Sequence, residues 1–183
     1  SYRGSVNPTG IRACYDEGKR CAESLFYDFH RMHGLDIKVA RLFNTYGPLM
    51  RSDDGRVVSN FICQSISKTP ITIYGDGTQT RSFCYIDDLV IGLKKLMNSN
   101  SNILYPVNLG NPDEFTLLEL VDEIEKISKK ELTIEFQPLP VDDPKMRKPD
   151  INTAKNDLGW KPSIKLSDGL INTYNYFLNE LKR

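Results

Sequence analysis

The sequence predicts an α/β fold because helical and strand-like patterns alternate along its 183 residues. Helices are indicated by apolar residues at spacings of three and four, and strands by short runs rich in β-branched residues. We predict helices at about 14–33, 56–67, 86–97, 116–130, 151–158 and 166–181. We predict strands at 36–43, 71–74, 82–85, 106–109 and 132–136.

The first helix and the strand that follows it have clear patterns. Leu25 and Phe29 lie one turn apart on the apolar face of the helix, and Gly34 provides a C-terminal stop. The run 36–43 (DIKVARLF) is short and rich in β-forming residues, which is typical of a buried parallel strand. A long polar loop is expected at 44–55.

Three local signals set boundaries further along the chain. The sequence GDG at 75–77 predicts a turn. Asp87 and Asp88 fall in the first turn of a predicted helix, where carboxylates suit the helix dipole. Thr116 with Glu119 three residues later predicts a capping box at the start of another helix.

The composition limits the classes of function. Lys plus Arg equals Asp plus Glu, 24 against 24, which argues against nucleic acid as a partner. No run is apolar and long enough to span a bilayer, so we expect no membrane contact in this segment. We interpret four cysteines without metal-ligand spacing as reduced, mostly buried thiols of a cytosol-like compartment: Cys14, Cys21, Cys63 and Cys84.

The chain has no glycine-rich turn between a strand and a helix. Its 12 glycines nowhere spell G-x-G-x-x-G or G-x-x-G-x-x-G. A dinucleotide-binding fold normally opens with such a turn, which holds the pyrophosphate at a helix N-terminus. The chain is therefore either a different α/β fold or a part of that fold without its first half.

Tyr15 and Lys19 form the first candidate catalytic feature. Residues four apart share one face of a helix, and an ammonium beside a phenol favours the phenolate form. A phenolate is a plausible general base for a sugar hydroxyl. The spacing is expected roughly once by chance in a chain of this composition, so a surface tyrosine beside a solvated lysine is the alternative interpretation.

Polar residues near predicted strand ends and turns form the second candidate feature. Guanidinium and amide groups in such positions are suited to grip a diphosphate and to bind a base. The alternative is that the arginines are ordinary surface cations. These candidate substrate-binding residues are Asn44, Arg56, Asn60, Tyr74, Gln79 and Arg81.

The third candidate feature is the charged, proline-flanked run at 142–150, which contains Arg147. Such a run is usually a solvated loop, yet an arginine in a loop over a site can hold a substrate carboxylate by two parallel bonds. His30 and His33 lack a third ligand nearby and are not expected to bind metal. Trp160 is expected to be a packing anchor.

With these motifs in order, the chain resembles the extended short-chain dehydrogenase/reductases, and within them the UDP-glucuronate decarboxylases. The stretches at 12–20, 54–61 and 147–151 point most narrowly to the decarboxylases. The matching stretches are RACYDEGKR, ARLFNTYGP, DGRVVSNF, YGDGTQTRSF, YIDDL, VNLGNP, RKPDI and LGWKP.

The resemblance implies a role for each candidate. Tyr15 would be the catalytic base, and Lys19 would favour its phenolate and hold the nicotinamide ribose. Arg41 and Thr45 would join this pair at the cofactor NAD, and no metal is implied. A uridine diphosphate would be bound by Arg56, Asn60, Tyr74, Gln79 and Arg81, with Asn44 near the sugar and Arg147 at the sugar carboxylate.

The implied reaction converts UDP-glucuronate to UDP-xylose. A ketone at C4 of the sugar makes a β-keto acid, which loses carbon dioxide because the remaining electrons delocalise into an enolate. A 4,6-dehydratase or 4-epimerase of the same family is an alternative. A non-catalytic module that binds sugar nucleotides is a second alternative, although mere binding does not need the Tyr15/Lys19 pair.

The resemblance also implies an architecture: the C-terminal half of a Rossmann-like doubly wound parallel sheet, plus a smaller α/β substrate lobe. We expect 1–43 and 81–108 in the nucleotide-binding part, and 44–80 and 109–183 in the substrate lobe. The family's glycine-rich loop and its Ser/Thr would lie upstream of Ser1, so we expect these 183 residues to be inactive alone. The full-length protein would be a homodimer, and a Golgi location remains an alternative to the cytosol.

Overall fold

The computed structural model describes residues 7–100, 102–139 and 148–182, and the predicted α/β fold is confirmed in them. The helices are α1 Ala13–His33, α2 Val57–Ser67, α3 Ile86–Met97, α4 Leu117–Ser128, α5 Asn152–Leu158 and α6 Leu166–Glu180. The strands are β1 Ala40–Leu42, β2 Thr45–Tyr46, β3 Ile71–Tyr74, β4 Thr80–Ser82, β5 Cys84–Tyr85, β6 Val107–Leu109, β7 Glu114–Thr116 and β8 Ile134–Gln137.

The strands form pairs between segments that are distant in sequence. Three pairs are parallel: β1 with β6, β2 with β5, and β3 with β8. The pair of β4 with β7 is antiparallel. Parallel neighbours need long crossover connections, and here helices such as α2, α3 and α4 supply them.

Several predicted boundaries are confirmed because their signals are local. Gly34 ends α1 in the left-handed region, with φ of 65°. At the start of α4, the Thr116 hydroxyl accepts from the Glu119 N–H at 3.1 Å, and the Glu119 carboxylate accepts from the Thr116 N–H at 2.7 Å. The predicted strand at 71–74 and helix at 86–97 form with those bounds.

Other predictions were wrong in detail. The strand expected at 36–43 is limited to β1, whose last residue Leu42 is 54% exposed. The loop expected at 44–55 begins with β2, a strand of 2 residues. The thiols are not mostly buried, since Cys14 and Cys21 are both exposed on α1, a helix in which no residue is fully buried.

Apolar side chains form two clusters. The larger cluster joins α2, β3, α4 and α6, and its fully buried members include Ile62, Ile71, Ile73, Leu120, Ile124 and Leu170. The smaller cluster joins α3, β6 and α5, and it contains Leu89, Leu96, Val107, Leu109, Ala154 and Trp160. The segment around α5 thus packs with the strand pair of β6 rather than with α4 and α6.

Asp88 ties the two clusters together. Its carboxylate is buried at the start of α3 and accepts from the N–H of Ser163 at 2.9 Å, from the N–H of Ile164 at 2.8 Å and from the Ser163 hydroxyl at 2.9 Å. The Trp160 ring nitrogen donates to the Asp88 carbonyl at 2.9 Å, and Trp160 is buried, as expected of a packing anchor. Asp88 therefore has a larger structural role than the dipole interaction that the sequence predicted.

Candidate active site

Helix α1 brings Tyr15 and Lys19 together. The Lys19 Nζ lies over the Tyr15 ring, 5.5 Å from its centroid, which is within the range of a cation–π contact. Tyr15 is 61% exposed. The contact places an ammonium group and a phenol on the same face of α1.

Arg41 of β1 is held by Glu23 of α1. Its Nε and Nη2 donate to the two carboxylate oxygens of Glu23, each at 2.7 Å, and both side chains are about one-third exposed or less, at 32% and 27%. The hydrogen bond with Glu23 raises the pKa of Arg41 above its ordinary value. Beside them, the Tyr27 hydroxyl is buried without a partner in the part of the chain that the structure describes, and burial, followed by the Glu23 charge, raises the pKa of Tyr27.

The family resemblance implies Arg41 beside the cofactor, but it does not single out Glu23. The signal was present: Glu23 follows Lys19 by four residues, which continues the spacing of Tyr15 and Lys19 along one helix. That spacing alone does not reveal a partner on a strand 18 residues away.

Asn44 and Thr45 lie where β1 ends and β2 begins. The Asn44 carbonyl accepts from the Cys84 N–H at 2.8 Å, and the Phe43 N–H donates to the Leu109 carbonyl at 3.1 Å. The Thr45 hydroxyl donates to the Phe43 carbonyl at 2.8 Å. Asn44 therefore follows the carboxyl end of a parallel strand, which is the edge where α/β sheets bind ligands.

Arg56 and Asn60 begin α2. The Asn60 N–H donates to the Arg56 carbonyl at 2.9 Å, so the two side chains lie one turn apart. The Arg56 side chain is 67% exposed, and its Nε is 3.8 Å from Asp54. Asp54 also accepts from the Arg56 N–H at 3.0 Å, which fixes the backbone from which this arginine projects.

Tyr74, Gln79 and Arg81 surround the glycine turn after β3. Gly75 and Gly77 have φ of 85° and 80°, which only glycine adopts readily, and the Gln79 amide donates to the Tyr74 carbonyl across the turn. Tyr74 is 49% exposed. Arg81 is half-buried on β4, and its Nη1 donates to the Thr80 carbonyl at 2.8 Å.

Arg147 lies outside the described residues, but the segment that follows it is well fixed. The Lys148 Nζ is 3.1 Å from Glu114, whose carboxylate also accepts from the Thr80 hydroxyl at 3.0 Å. Lys148, followed by Thr80, lowers the pKa of Glu114. Lys148 is thereby held beside the strand that carries Arg81.

The same segment also reaches the strand pair of β1 and β6. The Asn108 amide donates to the Asp150 carbonyl at 2.9 Å, and Asn108 is paired with Arg41 in the sheet. A Cβ at Gly110 would meet Pro149 at 3.1 Å and Phe43 at 2.8 Å, so only glycine allows this close approach. Residues 148–150 therefore cross from the β4–β7 pair to the β1–β6 pair.

The predicted residues thus fall into small groups on separate elements. Contacts within the groups join Tyr15 with Lys19 and Gln79 with Tyr74. Helix α2 sets Arg56 one turn before Asn60. In the described ranges no group of three or more His, Cys, Asp or Glu side chains is suited to hold a metal ion, and no helix has the length and apolar character needed to cross a bilayer.

The fold and these motifs define the class of the protein. The chain belongs to the NAD dependent epimerase/dehydratase family, whose family model matches residues 3–110. Solved structures agree with this: UDP-glucuronic acid 4-epimerase from Bacillus cereus, in complex with UDP-glucuronic acid and NAD, superposes with a TM-score of 0.86 at 32% identity. That match covers 99% of this chain and 58% of the other.

Within that family, the chain is similar to UDP-glucuronic acid decarboxylases, which confirms the predicted resemblance. Decarboxylase 6 of Arabidopsis thaliana is 53% identical over 170 residues, which cover 93% of this chain and 49% of the relative. Decarboxylase 1 of Danio rerio is 51% identical over 181 residues, which cover 99% of this chain and 43% of the relative. The chain thus spans less than half the length of these relatives.

Proposed function

We propose that the protein to which this chain belongs is an NAD-dependent UDP-glucuronate decarboxylase that forms UDP-xylose. The observation that carries the proposal is the Lys19 ammonium 5.5 Å from the ring of an exposed Tyr15, in a chain more than half identical to decarboxylases. A module that only binds a sugar nucleotide does not need this pair.

The proposed chemistry begins at Tyr15. Its phenolate takes the proton of the sugar C4 hydroxyl, and Lys19 holds positive charge beside it. NAD, when bound, supplies the acceptor for the hydride from C4. A carboxylate β to the resulting ketone would then be lost as carbon dioxide because its electrons delocalise into an enolate. A proton taken up at C5 would restore the ketone. Return of the hydride to C4, with the Tyr15 proton going to the C4 oxygen, would give UDP-xylose and regenerate NAD.

Cofactor and substrate would be held by different groups of residues. The exposed Tyr15 with Lys19 over its ring suits a nicotinamide ribose. We assign these two residues to the cofactor, together with Arg41 of β1 and Thr45 of β2. Glu23 already holds two of the five Arg41 N–H donors, and we assign the remaining three, two on Nη1 and one on Nη2, to a ligand. We assign the substrate to Asn44, Arg56, Asn60, Tyr74, Gln79, Arg81 and Arg147.

Two observations support this substrate assignment. The Arg56 side chain is 67% exposed next to Asn60, which suits it to bind an oxyanion. Lys148 is held beside Thr80, and the sequence neighbour of Thr80 is Arg81. The segment that follows Arg147, the proposed ligand of the sugar carboxylate, is thus anchored at the strand that carries Arg81, a proposed ligand of the diphosphate.

The architecture and assembly are proposals as well. We propose a nucleotide-binding lobe around β1, α3 and β6, and a substrate lobe around α2, β3, α4 and α6, with α5 packed on the first. We also propose a homodimer, which is supported by apolar side chains exposed on α1, namely Leu25, Phe26, Phe29 and Met32. Four free cysteines favour a reducing compartment such as the cytosol.

The proposal is tested with the full-length protein, NAD and UDP-glucuronate. We expect release of carbon dioxide and a pentose product. A product that keeps its carboxylate would instead identify a 4-epimerase, the alternative favoured by the match to the Bacillus cereus enzyme. Tyr15→Phe should abolish turnover and leave UDP binding unchanged, whereas unchanged turnover would rule out Tyr15 as the base.

A further inference from the structure

We infer that Glu23 is a positioning residue, whose carboxylate fixes the Tyr15/Lys19 helix on β1, the strand that precedes Asn44. The inference deepens the proposed function and rests on it. Glu23 does not touch a reacting group in this scheme. It acts through Arg41, which grips it with Nε and Nη2 at 2.7 Å each.

The geometry of α1 explains how the contact of Glu23 with Arg41 can control the position of Tyr15. Tyr15, Lys19, Glu23 and Tyr27 follow one another at steps of four, so they form one slowly turning stripe on the helix. Glu23 lies about 12 Å along the axis from Tyr15 at 1.5 Å per residue. Because both residues belong to the same helix, a tilt or slide of α1 at Glu23 also displaces the Tyr15 phenol.

Among the described residues, the Glu23–Arg41 fork is a direct contact between α1 and β1. None of the residues of α1 is fully buried by this part of the protein. Its half-buried positions include Glu23, Tyr27 and His30, which are polar. A fork of two parallel N–H···O bonds constrains both distance and orientation, which a single contact does not.

Arg41, the strand residue of this contact, lies close in sequence or in the sheet to other candidate residues. Arg41 precedes Asn44 by three residues, and its sheet partner Asn108 donates to the Asp150 carbonyl at 2.9 Å. The Glu23–Arg41 fork therefore links the base on α1 to Asn44 and to the segment 148–150.

Most surface ion pairs have no such role, and the chain offers a matched control. Arg51 makes the same two-bond fork with Asp53, at 2.9 and 2.8 Å, but the residues are only two apart and their side chains are 80% and 66% exposed. This pair joins no separate elements. Asp53→Asn removes the same chemistry without disturbing a helix-to-strand joint.

The test uses Glu23→Gln, Glu23→Asp and Asp53→Asn in the full-length protein. Calorimetry with UDP counts binding sites and gives the affinity, and turnover is expressed per UDP-binding site. For Glu23→Gln we expect turnover per site to fall roughly ten- to hundredfold with UDP affinity unchanged, because small misplacements of a reacting group are costly. Glu23→Asp keeps the charge but shortens the side chain, so its turnover per site should lie between those of Glu23→Gln and the wild type. Asp53→Asn should have the turnover per site of the wild type.

Amide hydrogen exchange supplies a readout that does not depend on activity. Glu23→Gln should speed exchange across Ala13–His33 and leave Leu117–Ser128 unchanged. Normal turnover per UDP-binding site in Glu23→Gln overturns the inference. So does a smaller number of UDP-binding sites with normal turnover at each remaining site, because that result indicates partial unfolding rather than misplacement of Tyr15. If Tyr15→Phe is inactive while both Glu23 variants are normal, only the inference fails; an active Tyr15→Phe removes the proposed function as well.

Discussion

Asp88 is the residue whose loss should destabilise the described fold most specifically. Its buried carboxylate accepts two backbone N–H groups and the Ser163 hydroxyl, all at 2.8–2.9 Å. Hydrogen bonds to a charged group contribute about 1.5–3 kcal/mol each, and donors left unsatisfied cost a similar amount. Because Ser163 is exposed and Ile164 is only partly buried, water would replace part of the lost hydrogen bonding. We expect Asp88→Ala to cost about 4 kcal/mol and Asp88→Asn about 2 kcal/mol.

The neighbouring Asp87 provides the control, because it lies in the same first turn of α3 but is exposed. Asp87→Asn loses only a dipole interaction and should cost no more than about 1 kcal/mol. Urea unfolding can be followed by the fluorescence of Trp160, the only tryptophan, whose ring nitrogen donates to the Asp88 carbonyl. Equal destabilisation by Asp87→Asn and Asp88→Asn would refute the proposed role of the buried carboxylate.

Three further outcomes are expected. Gly169→Ala should destabilise the chain by about 1–3 kcal/mol, because the added Cβ would lie 2.2 Å from the Tyr46 hydroxyl. Gly18→Ala is the control: its Cβ would meet nothing within 4 Å, so the change should be neutral or stabilising in thermal melts of the two variants. The pKa of Glu119 is lowered by its bonds with Thr116, so its stabilisation is present at neutral pH and is lost as pH falls through that lowered pKa; the stability gap between wild type and Glu119→Ala should close in acid, and a gap independent of pH would contradict this. The 183-residue chain alone should show no turnover with NAD and UDP-glucuronate, since its sequence has no glycine-rich phosphate loop, and measurable product would disprove this expectation.

The parts of the fold that the sequence predicted well depend on residues close together in the chain. The capping box of Thr116 and Glu119 spans three residues, and the stop at Gly34 is set by one. By contrast, β2 and β7 have 2 and 3 residues and no strand pattern of their own. They are strands only because β5 and β4 lie beside them, which is information held by the folded chain.

The candidate site divides in the same way. Tyr15 and Lys19 are four residues apart, so their contact could be predicted from spacing alone, while the catalytic role of the pair stays a prediction. The contact of Glu23 with Arg41 could not be predicted, because nothing in the helical spacing indicates a partner on a strand 18 residues away.

Suitable side chains form a site only when contacts between distant elements hold them in place. Three such connections join the groups described above: Arg41 to Glu23, Thr80 to Glu114, and Asn108 to the Asp150 carbonyl, across 18, 34 and 42 residues. Two of the three involve a carboxylate that binds no ligand in the proposed scheme. A substitution at Glu23 or Glu114 would therefore leave every proposed catalytic and binding group present and change only where these groups lie. Variants of this kind separate the chemistry of the side chains from their placement.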